Sequence, residues 1–146
     1  MSASSQAQQL LREGRIAESE QLYVEILKTS PDDAEALNVI ALSALRRRDF
    51  ARAGDLLRRA VDAHPKDFHS RYHLGRCRDE SGDLAQAIDE YRKALAIEPR
   101  AYTARLYLAS ALDRSGESRR SLPAYINALS QAPREGRWRR RDTRRR

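Results

Sequence analysis

Two histidines stand where they could bind a metal ion together. His69 and His73 are four residues apart, and on a helix this spacing places both side chains on one face, as a pair of zinc ligands requires. Asp79 and Glu80 follow on the same segment, too far along to complete a compact ligand set. The simpler interpretation is that both histidines are polar residues of a binding surface, and we predict no metal site.

Nucleophilic and cofactor chemistry has few candidates in this sequence. Cys77 is the single cysteine, so no internal disulfide can form, and we expect a small buried side chain rather than a reactive thiol. We find no Ser-His-Asp or Cys-His arrangement, phosphate-binding loop or zinc-ligand spacing. We therefore predict that the protein is not an enzyme and that it binds no cofactor and no small-molecule substrate.

The positive charge is concentrated at one end. The formal net charge is +7, and residues 134–146 hold eight Arg against one Glu and one Asp. This segment could attract nucleic acid or an anionic membrane, with its tryptophan stacking on a base or lying at the lipid interface. The alternative is a solvated, disordered end, or the end of a truncated chain. The residues that would carry polyanion binding are Arg137, Trp138, Arg139, Arg140 and Arg141.

The location of the protein is predicted only from missing signals. The first residues have neither the basic nor the apolar region of a secretory signal. No uninterrupted apolar stretch approaches the ~18 residues that a membrane-spanning helix needs. We therefore take a cytoplasmic location as the default expectation.

The elements that position these residues follow an internal repeat. Prolines recur every 34 residues, at Pro31, Pro65, Pro99 and Pro133. A second position keeps the same spacing and holds Gly14, Arg48, Gly82 and Gly116. Glycine permits the positive φ at which a helix ends, and proline cannot donate the next helical hydrogen bond. Each unit is therefore predicted to be a helix, a tight turn and a second helix.

The third unit carries a recognisable set of residues: Tyr72, Leu74, Gly75, Gly82, Ala87, Tyr91, Ala94 and Pro99. In this pattern the sequence resembles the tetratricopeptide repeat (TPR) family. The resemblance implies an all-α fold, a solenoid of four helix-turn-helix repeats in a right-handed superhelix. It predicts a TPR domain over 1–133, with repeats at about 1–33, 34–67, 68–101 and 102–133, followed by a disordered Arg-rich tail over 134–146.

The helix boundaries can be predicted from the same pattern. We expect helix pairs at 2–13 and 16–29, 34–47 and 50–63, 68–81 and 84–97, and 102–115 and 118–131. Pro123 falls inside the last of these, so that helix is expected to begin late, with Ser121 as its N-cap. Four aspartates stand where they could cap or favour a helix start: Asp32, Asp33, Asp49 and Asp83.

The family resemblance also implies a function, because the first helices of successive TPR repeats line a concave groove that binds a peptide or a partner domain. We predict a protein–protein interaction scaffold with aromatic and polar groove residues. The alternative is that some of these residues pack between repeats. Some TPR proteins bind the C-terminal carboxylate of chaperones through Lys, Asn and Arg at set positions of the groove. This sequence does not reproduce that set, so we do not expect it to bind chaperone C-termini. The predicted groove residues are Asn38, Leu42, His69, Tyr72, His73, Arg76, Leu106, Tyr107 and Ser110.

A second function class follows from the end of the array. TPR arrays usually add a polar-faced helix after the last repeat, whereas the residues after Pro133 have no amphipathic period. The apolar side of the fourth repeat would then be exposed or covered by another molecule. A second copy of the chain is the candidate for this role, which predicts a homo-oligomer.

Some segments resemble a narrower group of proteins. The stretches 36–42, 56–61, 71–75 and 136–138 are similar to the N-terminal TPR segment of bacterial aspartyl/asparaginyl β-hydroxylase-type proteins. In that family a catalytic jelly-roll domain using iron and 2-oxoglutarate follows. Its His-x-Asp…His metal set does not occur in this sequence, so the resemblance implies the recognition part without the enzyme.

Overall fold

The computed structural model describes residues 2–116 together with Pro123, Ile126, Asn127 and Ser130. Residues 2–116 contain seven α-helices and no strand. None of these helices has the length and apolar character that crossing a membrane would need. Each boundary lies within one residue of its predicted position. The helices are α1 (Ala3–Arg12), α2 (Ile16–Thr29), α3 (Ala34–Arg46), α4 (Phe50–Ala63), α5 (Phe68–Glu80), α6 (Leu84–Ile97) and α7 (Tyr102–Arg114).

The predicted eighth helix lies almost wholly outside the described residues. Pro123 is helical and exposed, which is compatible with the expected late start. Ser121, its predicted N-cap, is outside the described part, so the late start stays a prediction.

Aspartates begin four consecutive helices. The side chains of Asp33, Asp49, Asp67 and Asp83 each accept a hydrogen bond from the backbone N–H three residues ahead. Such N-caps satisfy a donor that the helix itself leaves unpaired, and each is worth about 1 kcal/mol. Three of these caps were predicted, and Asp67 was missed. Asp32 is not an N-cap, because Asp33 holds that position before α3, and the Asp32 carboxylate lies 3.7 Å from Arg59 Nε.

The turns inside the hairpins have the left-handed backbone that the repeat predicted. Gly14, Gly82 and Gly116 have φ of 75°, 90° and 84°. Arg48 occupies the same place in the second hairpin with φ of 60°, and no other non-glycine residue in the described part has positive φ. A residue with a side chain is strained by roughly 1 kcal/mol in this conformation. The turn of the second hairpin is therefore less stable than the turns that contain glycine.

The core consists of three successive clusters, each formed where a hairpin meets the first helix of the next one. The first joins α1, α2 and α3 around Tyr23, and the second joins α3, α4 and α5 around Leu57. The third joins α5, α6 and α7 around Tyr91. The three central side chains are fully buried and recur at 34-residue intervals. No hairpin buries its apolar face alone, which is the defining property of a solenoid.

Three of the first helices, α3, α5 and α7, lie closer together than the second helices do. In the described part of the chain, α3 contacts α5 and α5 contacts α7, whereas α2, α4 and α6 do not contact one another. A stack that is closer on one side must curve toward that side. The helices α3, α5 and α7 therefore lie on the inner side of this curve.

Candidate binding groove

All nine predicted groove residues lie on the first helices α3, α5 and α7. The structure divides them by exposure. His69 is exposed, two are buried, and six are half-buried. The buried two are Asn38 and Tyr72. The half-buried six are Leu42, His73, Arg76, Leu106, Tyr107 and Ser110.

Asn38 joins α3 to α5. Its side chain is only 7% exposed, and its Nδ2 donates hydrogen bonds to the carbonyl of Ala34 at 2.7 Å and to Ser70 Oγ at 2.8 Å. The Ser70 hydroxyl in turn donates to the cap carboxylate of Asp67. Asn38 therefore holds two neighbouring hairpins in register and leaves little surface for a ligand.

An aromatic cluster fills the contact between the third and fourth hairpins. Tyr72 stacks on Phe68 with ring centroids 5.6 Å apart and meets the edge of Tyr107 at 5.8 Å. Tyr91 lies behind both tyrosines, at 6.2 and 6.0 Å. Burial raises the pKa of Tyr72 to about 12, so its hydroxyl stays protonated. Tyr72 packs between repeats, and Tyr107 is the tyrosine of this cluster with more surface toward the groove.

Arg76 lies on α5, the middle one of the three helices that carry the predicted groove residues. Its guanidinium carbon is 5.6 Å from the centroid of the Tyr107 ring, a distance at which a cation is attracted to the ring face. Its Nη2 donates to Glu80 Oε1 at 3.2 Å. Its Nε is buried and has no hydrogen-bond partner in the described part of the chain. Arg76 is therefore held in place from two sides, and its buried Nε donor is left unpaired.

The two histidines are neighbours but differ in environment. Their ring centroids are 6.2 Å apart, with His69 exposed and His73 half-buried. Burial, followed by the positive charges of Arg76 and His69, lowers the pKa of His73 to about 4. Its Nδ1 is buried and finds no partner among the described residues. No group of three or more potential metal ligands forms in residues 2–116.

A pocket of about 310 Å³ opens between α3 and α5. Its lining residues are Leu42, Leu45, Arg46, Arg76 and Glu80. This volume lies at the lower end of the ~300–1,000 Å³ range of ligand pockets. The pocket combines two leucine side chains with three charged groups, so it can receive an apolar group next to a polar one.

Arg46 and Glu80 are pocket residues that the sequence prediction of the groove did not include. They belong to a position that recurs at 34-residue spacing in the last turn of each first helix: Arg12, Arg46, Glu80 and Arg114. The same spacing identified the prolines, so this row could have been read from the sequence. It was missed because the prediction followed the middle of each helix rather than its end.

Glu35 forms a contact between the first two hairpins that no sequence signal predicted. Its carboxylate accepts hydrogen bonds from Ser4 at 2.9 Å, Gln8 at 2.7 Å and Tyr23 at 2.8 Å. Burial raises the pKa of Glu35, but the three hydrogen bonds outweigh this effect and leave it lowered. The charged carboxylate is fully occupied within the protein, so we do not assign it to ligand binding.

The predicted polyanion residues Arg137, Trp138, Arg139, Arg140 and Arg141 lie outside the described residues. So does most of the fourth hairpin's second helix, on which the predicted self-association depends. Attachment through the tail and assembly through the fourth repeat therefore stay predictions.

The fold resembles that of several solved structures. A crystal structure of MamA matches with a TM-score of 0.79 and 19% identity, over 88% of this chain and 75% of that chain. MamA AMB-1 matches with a TM-score of 0.75 and 23% identity, over 88% and 76%. MamA residues 41 to the end from Desulfovibrio magneticus RS-1 match with a TM-score of 0.77 and 19% identity, over 88% and 73%. These similarities establish the all-α TPR solenoid.

The sequence itself matches a family over most of its length. A search of curated proteins finds no match, and the similarity to aspartyl/asparaginyl β-hydroxylase-type proteins stays a prediction. The tetratricopeptide repeat family matches three overlapping segments, at residues 5–68, 39–102 and 72–129. Its repeats form protein–protein interaction modules. The chain therefore belongs to the tetratricopeptide repeat family and is a protein–protein interaction module.

Proposed function

We propose that the concave groove lined by α3, α5 and α7 binds an extended or helical segment of a partner protein. One observation carries the proposal: α3 contacts α5 and α5 contacts α7, whereas α2, α4 and α6 do not contact one another, and a pocket opens between α3 and α5. A curved inner wall of this kind can contact a segment along several repeats at once.

The groove residues fall into two roles under this proposal. The residues that keep exposed surface would contact the partner, namely Leu42, His69, His73, Arg76, Leu106, Tyr107 and Ser110. Asn38 and Tyr72 would support them, because both are buried. The mixture of leucine, tyrosine and arginine side chains suits a hot spot, in which few residues carry most of the binding energy.

The proposal can be tested without knowing the natural partner. A phage-displayed library of random peptides of about twelve residues is selected against the whole chain. When extended, such a peptide is roughly 40 Å long. This length is enough to cross four adjacent helices that are about 10 Å apart. Binding of each enriched peptide is then measured by calorimetry for the wild type and for Leu42→Gln.

Leu42→Gln should weaken an enriched peptide about tenfold, because it replaces an apolar pocket wall with an amide at nearly constant volume. The matched control is Ile97→Gln. Ile97 is 36% exposed at the end of the second helix α6, so this variant should bind as the wild type does. Circular dichroism verifies that both variants stay helical. Equal affinity of Leu42→Gln and the wild type for every enriched peptide would remove the groove assignment.

A further inference from the structure

The pocket between α3 and α5 has a charge imbalance. Arg46 and Arg76 contribute two positive charges to its lining, and Glu80 contributes one negative charge. Glu80 accepts a hydrogen bond from Arg76. Arg46 is exposed and forms no hydrogen bond or ion pair with the described residues. The pocket therefore retains one guanidinium without a counter-charge.

The neighbouring positions do not cancel this excess. Arg12 on α1 and Arg114 on α7 occupy the same position in their hairpins as Arg46. Arg114 is paired with the buried carboxylate of Asp79 at 2.6 Å. Arg12 donates only to the neutral side chain of Gln9. Arg12 therefore has no ion-pair partner among the described residues, whereas the charge of Arg114 is compensated.

Stabilisation of helix ends explains part of this pattern but not all of it. Arginines in the last turn of a helix interact favourably with its dipole, which accounts for Arg12 and Arg46. Arg76 lies a turn earlier, and its buried Nε has no partner in the described part of the chain. A buried donor without a partner is unfavourable, so an acceptor supplied by a ligand would relieve it.

Two leucines complete the chemistry of the pocket. Leu42 and Leu45 form its apolar wall, and Leu45 also packs into the core beneath. Neighbouring hairpins are about 10 Å apart, and an extended chain advances about 3.3 Å per residue. A bound peptide can therefore place an apolar side chain against the leucines and a charged side chain at the edge of the pocket, provided that the two residues are within about three positions of each other.

We propose that this pocket binds a protein segment in which an aliphatic residue lies within about three positions of an Asp or Glu. The aliphatic side chain contacts Leu42 and Leu45, and the carboxylate pairs with Arg46 and Arg76. This inference rests on the proposed function of the groove. It adds the chemical class of the partner segment.

The library selection described above provides the test, with sequence composition as its readout. Enriched peptides should contain Leu, Ile, Val or Met near Asp or Glu more often than the unselected library does. A synthetic peptide from this set should lose affinity about tenfold for Arg46→Glu, because one attractive pair becomes a repulsive one. Its affinity should also fall as the salt concentration rises.

The matched control is Arg92→Glu, the same charge change at an exposed position of the second helix α6. It should leave the affinity within a factor of about two, since it alters the overall charge but not the groove. Equal losses for Arg46→Glu and Arg92→Glu would show that only net charge matters and would overturn the proposal.

The outcomes separate this inference from the proposed function. Enriched peptides that are neutral or basic, and that still lose affinity for Leu42→Gln, would overturn the acidic class while supporting the groove. Acidic peptides that are sensitive to Arg46→Glu would support both. A selection without any enriched peptide, or with peptides insensitive to Leu42→Gln, would count against both.

Discussion

The hydroxyl of Tyr91 donates a hydrogen bond to the carboxylate of Asp79 at 3.0 Å, inside the third hairpin. Tyr23, two repeats earlier, donates instead to Glu35 at 2.8 Å, a residue of the following hairpin. The same buried position thus stabilises one hairpin internally and joins two others together. Burial, followed by the charge of Asp79, raises the pKa of Tyr91, so its hydroxyl remains a donor at any ordinary pH.

Removing this hydroxyl should destabilise the protein. Tyr91→Phe keeps the ring but leaves Asp79 with one partner fewer, although Arg114 still compensates its charge. We expect the free energy of unfolding to fall by about 1–2 kcal/mol, measured by urea denaturation followed by circular dichroism. The control is Tyr102→Phe, at a residue that is 36% exposed, and it should change the free energy little. Equal stability of the two variants would contradict the role of the hydrogen bond.

Two helical glycines should respond in opposite directions to alanine. A Cβ at Gly75 would lie 2.7 Å from the Tyr91 ring, whereas one at Gly54 would meet only Cys77 Sγ at 3.8 Å. Gly75→Ala should therefore destabilise the fold by about 1–3 kcal/mol through overpacking. Gly54→Ala should stabilise it by roughly 0.5–1 kcal/mol through helix propensity. Thermal unfolding of the two variants tests this, and a shift in the same direction for both would be inconsistent with the packing.

The turn at Arg48 offers a stabilising substitution. Its φ of 60° is the conformation that three glycines adopt in the other hairpins. Arg48→Gly should raise the free energy of unfolding by about 0.5–1 kcal/mol, since the strain removed exceeds the loss of the contact between Arg48 and Phe50. The converse variant, Gly82→Arg, should lower it. A destabilised Arg48→Gly would show that the contact with Phe50 outweighs the strain.

His73 should make stability depend on pH. The pKa of His73 is lowered from 6.5 to about 4, mainly by burial, then by Arg76 and His69, with Asp67 acting in the opposite sense. Between these values the unfolded chain binds more protons than the folded one, so stability is complete above about pH 6.5 and falls as the pH falls toward 4. The full difference corresponds to at most about 3 kcal/mol.

This dependence can be isolated by substitution. His73→Gln removes the titrating group, so its unfolding free energy should fall less between pH 6.5 and 4 than that of the wild type. If the unfolding free energies of His73→Gln and the wild type fell equally between pH 6.5 and 4, His73 would not be the source of the pH dependence.

The spacing of proline and glycine was sufficient to predict the helices, because backbone conformation at these positions is a local property. The positive φ of Arg48 was not predicted, although the residue stands in a glycine position of the repeat. The site was harder to predict. Periodicity placed Tyr72 on the first-helix face, but whether it faces solvent depends on Phe68, Tyr91 and Tyr107, whose arrangement is tertiary. Glu35 likewise depends on contacts from two other helices.

Backbone amide NMR of the whole chain, titrated with a peptide enriched in the library selection, would locate the surface that binds the partner segment. We expect the largest shifts on α3, α5 and α7, centred on Leu42 and Arg76. These shifts should weaken in Leu42→Gln and persist in Ile97→Gln. Shifts centred on the second helices α2, α4 and α6, with the groove amides unchanged, would contradict the proposed groove binding.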